Sequence, residues 1–437
     1  MLQQLLQKID DRTYTVGIIG LGYVGLPLLW TAFQRGFPVI GVDIDESKIT
    51  NLKKGESYIK HFGSEKVKTM SVSSNARFST DFSLLKEADA LIMCVPTPLN
   101  AYREPDMSYV EGTTRAIAPH LRKGHLVVLE STTYPGTTDE LIRPICEKTS
   151  GLVSEKDFYI AYSPEREDPG NPDFNTATIP KVVGGDGSDA LELALKLYSN
   201  IVVKTVPVRD TKTAEAVKLL ENIYRAVNIA LVNEMKIVFQ DMNIDIHEVI
   251  EAAKTKPFGF TPFYPGPGWG GHCIPIDPFY LTWKAREFGK STRFIELAGE
   301  INTNMPIWVV ERVIDALNDQ GKAMNGSKIL CVGLAYKPNI DDMRESPTFR
   351  IMDLLKERKA KVSYYDPHIP VITPTREHAA WTGTHSVVLT KEVVEQFDAV
   401  VVCTHHASIN WQELLSWSKL VVDTRHVVPA SEKTYKA

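Results

Sequence analysis

The sequence predicts an α/β protein of two Rossmann-like, doubly wound domains joined by a long central helix. Three observations carry that expectation. Short apolar segments alternate with helical ones as far as residue 183, a long stretch of helical spacing follows, and a second alternation opens at Lys328. At 437 residues the chain also exceeds what one hydrophobic core usually organises.

Residues 15–20 read as a strand, and 26–35 have the composition of a helix. Between them lies Gly20-Leu21-Gly22-Tyr23-Val24-Gly25, a dinucleotide-binding fingerprint at a strand-to-helix turn. A second strand, 39–42, ends in Asp43, 23 residues after Gly20 and near the ~20-residue offset of a ribose-binding acid. An acid there favours NAD over NADP. Further strands are expected at 90–95, 126–130, 158–162 and 181–183, with helices such as 109–121 and 138–148 between them. Such alternation implies a parallel sheet. Three loops follow strand ends: Pro96-Thr97-Pro98, the segment 131–136 that contains Thr132, and 163–170, which opens Ser163-Pro164-Glu165-Arg166. Ligands of these sheets lie at the carboxyl ends of the strands, so all three are candidates to face cofactor or substrate.

Residues 213–241 contain no glycine or proline, and Val217, Leu220, Ile223, Tyr224, Val227, Leu231, Met235 and Val238 recur at helical spacing. One helix of about eight turns is expected. Helical runs at 292–304 and 308–317 precede strands at 328–333, 362–366, 399–403 and 420–423, with a helix at 351–359. The domain boundaries are therefore set at 1–210, 211–320 and 321–437.

The composition is that of an ordinary soluble protein. With 49 basic against 54 acidic residues and no basic block, neither nucleic acid nor a membrane is an expected partner. The five cysteines are scattered without metal-ligand spacing, which argues for a reducing compartment and against a zinc or other metal site. Residues 1–12 are polar and lack the apolar core of a signal peptide, and no apolar run is long enough to span a membrane, so a cytoplasmic protein is expected.

The segment richest in glycine and proline, 258–278, holds Cys273 within Gly270-Gly271-His272-Cys273-Ile274-Pro275-Ile276-Asp277-Pro278. Glycines leave little side-chain bulk beside the sulfur, which suits attack on a bulky substrate. A thiol and a nicotinamide in one chain suggest oxidation through a covalent sulfur intermediate. A free thiol is more often buried and inert. Lys218 and Asn222 stand four residues apart on the long helix, where an ammonium and an amide share a face and can hold one oxyanion. An exposed lysine beside a surface asparagine is the commoner case. Asp277 before Pro278 reads equally as a helix N-cap and as an acid–base group. Glu165 with Arg166 fits a surface ion pair, and Thr132 a turn residue. The aromatics Phe258, Phe260, Phe263 and Tyr264 suit either core packing or stacking on a base or sugar.

Over its full length the chain resembles the UDP-glucose/GDP-mannose dehydrogenase family. The resemblance rests on the glycine fingerprint, Glu130-Ser131-Thr132, Ser163-Pro164-Glu165, Lys218 to Asn222, Gly270-Gly271-His272-Cys273 and Gly333-Leu334-Ala335-Tyr336-Lys337-Pro338. It implies an N-terminal NAD domain, a central dimerisation segment, a C-terminal UDP-binding domain, and four-electron oxidation of a sugar C6 alcohol to a carboxylate with two NAD. By the same resemblance Cys273 is the nucleophile, Lys218, Asn222 and Asp277 handle the oxyanion and protons, and Glu165 and Thr132 assist hydrolysis. NAD is assigned to Gly20, Gly22, Tyr23, Val24, Gly25, Asp43, Lys48, Thr97, Thr132 and Arg344. The UDP-sugar is assigned to Glu165, Arg166, Lys218, Asn222, Phe263, Tyr264, Gly270 and Lys337, in a homodimer or higher homo-oligomer of polysaccharide biosynthesis. UDP-glucose enzymes carry a lysine before the aspartate and an aromatic after the Pro-Glu; here these are Ile276 and Arg166. The segments 265–277 and 163–170 look like the UDP-N-acetylglucosamine branch, with UDP-N-acetylmannosamine and UDP-glucose as alternatives. A two-electron β-hydroxyacid dehydrogenase would leave Cys273 and the C-terminal domain without a role, and a non-catalytic nucleotide-sugar sensor would bind without reducing NAD.

Overall fold

The computed structural model describes residues 1–59, 62–100, 102–166, 178–271, 273–375 and 378–437. His272 and the end of the predicted 163–170 loop lie outside the described residues. The chain forms two compact units, Met1–Glu221 with Phe279–Lys290 and Asn222–Pro278 with Ser291–Ala437.

The first unit is built on β1 (Val16–Ile19), β2 (Val39–Val42), β3 (Ala76–Ser79), β4 (Ala90–Met93), β5 (Leu126–Leu129), β6 (Tyr159–Tyr162), β7 (Lys181–Gly185) and β8 (Thr205–Val208). They form one sheet in the order β3-β2-β1-β4-β5-β6-β7-β8, whose first six positions follow the dinucleotide-binding order. β1, β2, β4, β5 and β6 are buried at every position because helices cover both faces, which is why they read as unbroken apolar runs. One pairing departs from the expected parallel sheet: β7 runs antiparallel to β6, with Tyr162 opposite Gly184. The sequence between them carries Pro164, Pro169, Pro172 and Pro180 and no helical period. A parallel pairing needs a crossover connection, usually a helix, and this stretch of sequence does not predict one. The helix Ser188–Ser199 follows β7 instead.

The second unit contains a five-stranded parallel sheet of β9 (Lys328–Val332), β10 (Lys361–Tyr365), β11 (Ala399–Val402), β12 (Val421–Asp423) and β13 (Thr434–Lys436), ordered β10-β9-β11-β12-β13. Its first turn repeats the device of the NAD-type turn. Gly333 follows β9 at φ 91°, and Asp366 at the end of β10 accepts from the backbone N–H of Leu334 (2.6 Å) and Ala335 (2.9 Å). It also accepts from His368 and Ile369 N–H and pairs with the His406 ring at 3.0 Å, every partner side chain here being buried or close to it. Burial pushes the Asp366 carboxyl up, but the His406 contact and the backbone donors hold it below the usual range.

Two helices differ from expectation. The long helix spans Thr211–Asp241, but the apolar residues that revealed it are not its buried stripe. Leu220, Tyr224, Leu231 and Val238 are exposed, whereas Glu215, Lys218, Leu219, Asn222, Ala226, Ala230, Asn233 and Lys236 are buried. The two runs expected at 292–304 and 308–317 are one helix, Arg293–Asp319, that continues through Pro306. A proline inside a helix costs about 3 kcal/mol. Burial of Met305, Val309, Val310, Val313 and Leu317 on the same helix offsets it.

Candidate active site

In the first unit the sheet order places the carboxyl ends of β1, β4, β5 and β6 side by side, so the glycine turn and all three predicted loops leave the same edge. The three glycines have three different reasons to lack a side chain. Gly20 sits at φ 90°, and a Cβ there would lie 2.4 Å from the Cys94 carbonyl oxygen. A Cβ at Gly25 would lie 1.9 Å from the Gly20 carbonyl oxygen, so glycine is what lets the helix Gly25–Gln34 start against the strand. A Cβ at Gly22 would meet nothing within 4 Å, which leaves its backbone open to a pyrophosphate. Asp43, buried, accepts from Leu21 N–H (2.8 Å), Asp45 N–H (2.9 Å) and the Lys48 ammonium (2.9 Å). The residues present therefore fit NAD, with Gly22 facing open space and Asp43 and Lys48 paired at the end of β2.

The loops are tied to one another. The Ser131 hydroxyl donates to Val95 O (2.7 Å) and accepts from Val95 N–H (3.0 Å), which fixes the Thr132 loop to the strand end before Thr97. Thr97 and Thr132 are both half-buried, and Tyr23 is exposed. Glu165 N–H donates to Glu130 O at 3.3 Å, and the Glu165 carboxylate accepts from Arg166 N–H at 2.7 Å. Beneath this loop the buried Glu130 carboxylate accepts from Lys181 (2.9 Å) and from the Tyr198 hydroxyl (2.5 Å). Burial pushes the Lys181 ammonium down, but the Glu130 and Glu165 carboxylates together hold it above the usual lysine range. Arg166 forks onto Glu221 (2.6 and 3.3 Å) and reaches Pro180 O (2.6 Å). Cys94 is no rival nucleophile: burial, then the Glu130 charge, pushes its thiol well above the usual range.

In the second unit the Asn222 side-chain amide donates to the Asp277 carboxylate at 2.6 Å, both residues being buried, and Asp277 N–H donates to the Cys273 carbonyl at 2.7 Å. Asn222 and Asp277 are thus joined through their side chains, and the half-buried Cys273 is joined to Asp277 through the backbone. Asp277 is the first residue of the helix Asp277–Glu287 and not the flanking cap. The glycines before Cys273 do not simply leave room for substrate, as their composition suggested. A Cβ at Gly270 or Gly271 would each come within 2.7 Å of Tyr336, so these glycines let the Tyr336 side chain lie on the backbone. Gly271 N–H donates to Arg344 O (3.2 Å), and the Arg344 guanidinium forks onto Asp342. Lys337 is half-buried beside Tyr336 in sequence. Phe263 packs edge-on to Tyr224 at 5.7 Å, and the Tyr264 hydroxyl donates to Glu251.

Sequence reasoning missed a second anchor of the cysteine segment. Gly266 N–H donates to the Asn233 side chain (2.9 Å), and Gly266 O accepts from Lys236 (3.1 Å). Burial, followed by the nearby Arg425 charge, pulls the Lys236 ammonium down to about 7. The available signal was spacing: Asn233 and Lys236 continue the face of Asn222 at helical intervals. Among the described residues no cluster of His, Cys, Asp and Glu is arranged to hold a metal.

A dinucleotide turn, a cysteine tied to an acid and an amide, and a second nucleotide-type sheet define an NAD-dependent oxidoreductase of nucleotide sugars. Models of the UDP-glucose/GDP-mannose dehydrogenase family match in three parts: the NAD binding domain over residues 14–202, the central domain over 212–304 and the UDP binding domain over 330–430. The chain belongs to that family. It is 34% identical to UDP-N-acetyl-D-glucosamine 6-dehydrogenase of Salmonella typhi, covering 95% of this chain and 97% of that protein. It is 35% identical to UDP-N-acetyl-D-mannosamine dehydrogenase of Escherichia coli K12, covering 90% and 94%. The solved UDP-D-ManNAc dehydrogenase of Pyrococcus horikoshii superposes with a TM-score of 0.86 at 32% identity, over 97% of this chain and 98% of that one.

Proposed function

We infer that the protein oxidises C6 of a UDP-N-acetylhexosamine, UDP-N-acetylglucosamine before its 2-epimer, to the uronate through a cysteine-bound intermediate. The observation that carries this reading is the hydrogen-bonded group of Asn222, Asp277 and Cys273. The names of the Salmonella and Escherichia relatives support an N-acetylhexosamine. Ile276 and Arg166, where UDP-glucose enzymes carry lysine and an aromatic, point the same way.

NAD, held at the Gly20–Gly25 turn with Asp43 and Lys48, would supply the hydride acceptor for each of two oxidations at C6. Lys218, or a water held by Asp277, receives the hydroxyl proton in the first. The resulting aldehyde carbon yields a second hydride only after it becomes tetrahedral, and attack by the Cys273 thiolate forms the C–S bond of a thiohemiacetal. Lys218 and Asn222 hold its oxyanion. Loss of the second hydride leaves a thioester. Water, activated by Asp277 or Glu165 with Thr132, breaks the C–S bond, returning the thiol and releasing the carboxylate. Lys337, with Gly270 and the Phe263–Tyr264 pair, serves the UDP-sugar, and Arg344 the cofactor side.

The exposed Leu220, Tyr224, Leu231 and Val238 on the long helix support association with a second copy, since contiguous apolar surface marks interaction sites. The scattered cysteines, without metal-ligand spacing, suit an enzyme of the cytoplasm, and among the described residues no helix is long and apolar enough to cross a membrane. Incubation with a panel of UDP-hexoses, measuring NADH formed per sugar consumed, tests the reading. Two NADH per UDP-N-acetylglucosamine is expected. One NADH, or turnover of UDP-glucose alone, refutes it.

A further inference from the structure

The buried carboxylate of Glu215 has no part in the chemistry above, yet it joins two elements that carry it. Glu215 lies one helical turn before Lys218 and is fully buried. Its carboxylate accepts from Gly136 N–H (2.6 Å), Thr138 N–H (2.9 Å) and the Thr138 hydroxyl (2.7 Å). Those donors belong to the loop that leaves β5 through Thr132 and to the first residue of the π-helical turn Thr138–Ile142. Two neighbours on the same helix add to the seam: the Thr211 hydroxyl donates to Asp139 (2.9 Å), and Lys212 pairs with Asp139 (3.5 Å). Gly136 sits at φ 108° and a Cβ there would strike Glu140, so the loop takes this path only with glycine at that point. A π turn marks a place where regular geometry has given way to another constraint. Here the constraint is visible as the Glu215 carboxylate capping backbone donors from a different element.

We propose that Glu215 is a positioning residue that fixes the Thr132 loop to the helix bearing Lys218, holding the proton-handling groups of the first unit in one register. This rests on reading Lys218 and Thr132 as members of the site. Two of the three partners, the Gly136 and Thr138 N–H groups, can only donate, and the Thr138 hydroxyl donates as well, so the ionised form fits them best. Protonation inserts another hydrogen into a nest of hydrogens and loosens the seam. Burial, the leading influence, opposed by the Gly136 and Thr138 hydrogen bonds, pushes the Glu215 carboxyl up to about 7. The charged residues on the elements around it are Asp139 and Glu140 of the turn, Lys284 and Glu287 of the helix Asp277–Glu287, and Lys212 and Lys218 on its own helix. The seam is therefore intact above neutrality and weakens as pH falls through about 7.

The test uses the full-length enzyme and its variant Glu215→Gln, whose amide presents hydrogens to the same donors at every pH. The expected result is NAD affinity and sugar KM near wild type, kcat lower by about ten- to a hundredfold as misplaced catalytic groups give, and loss of the acid-side fall in kcat near pH 7. Thr138→Val, which removes one donor and keeps the two backbone ones, is expected to fold in any case. It should shift that acid limb to higher pH, because a carboxylate with fewer donors holds its proton longer. A Glu215→Gln enzyme within twofold of wild-type kcat, or an acid limb that stays in place in both variants, overturns the proposal. Lys218→Met is run in parallel. If it is inactive while Glu215→Gln is fully active, the positioning role alone falls; if it too is fully active, the reading of the site falls and takes this proposal with it.

Discussion

Replacing Asp43 with alanine removes the acid at the end of β2, and the structure sets the size of the effect. A carboxylate offers about four acceptor positions. Leu21 N–H, Asp45 N–H and the Lys48 ammonium use three of them, which leaves capacity for a ribose hydroxyl. A hydrogen bond to a charged acceptor contributes about 1.5–3 kcal/mol, so Asp43→Ala should bind NAD about 10- to 150-fold more weakly. The same change leaves the buried Leu21 N–H without its acceptor, at about 1–3 kcal/mol of folding stability. Asp43→Asn separates the two effects, because its remaining oxygen still serves the glycine turn while the negative charge is gone. Titration of NAD by fluorescence or calorimetry, beside a thermal melt, reads both. A folded Asp43→Ala protein with NAD affinity within twofold of wild type refutes the reasoning and means that the ribose is held elsewhere.

Cys273→Ser should abolish rapid turnover while leaving NAD affinity unchanged, and full steady-state activity in that variant removes the covalent route. Lys181→Met strands the Glu130 carboxylate at 0% exposure; loss of one partner of a buried pair costs about 3–5 kcal/mol, so a markedly lower melting temperature is expected, and an unchanged one refutes the pairing. Lys236 gives a pH signature. Its folded-state pKa of about 7 lies below the ordinary lysine range, so above pH 7 the unfolded chain binds the extra proton and stability rises with pH through that window. Lys236→Met should flatten this rise in melts recorded from pH 7 to 10, and an identical slope in both proteins discards the assignment.

Strand periodicity made β1, β2, β4, β5 and β6 legible because buried parallel strands are continuous apolar runs. The glycine turn was legible because each glycine answers a separate steric demand. β3, with alternating burial, β8, with no buried position, and the three-residue β13 carry too little pattern to stand out, and the direction of β7 is not written in its own residues. The long helix was found for a reason that misleads about its packing. Its apolar residues drew attention, but the buried face is small or polar: Ala226 and Ala230 between Asn222 and Asn233. Periodicity reports that a helix is amphipathic, not which face meets the rest of its own chain. The site divides similarly. Cys273 and Asp277 stood out because of the glycine- and proline-rich segment that holds them, and Lys218 and Asn222 through their four-residue spacing and the family resemblance. Glu215, Asn233 and Lys236 did not, since a polar residue on a helix is ordinarily solvated. Arg166 was legible as a departure from the UDP-glucose pattern, whereas its grip on Glu221 depends on contacts that spacing does not reveal.

Asp43 and Asp366 do the same local job, each stapling the turn that follows the leading strand of its sheet. Their remaining capacity differs. Five donors, one of them the ring of His406, saturate Asp366, whereas Asp43 keeps a vacancy. One scaffold thus serves in one place as a socket and in the other as a rivet, and an imidazole marks the difference. With Asp366 already engaged, a ligand of the second sheet must find its grip on side chains other than that acid.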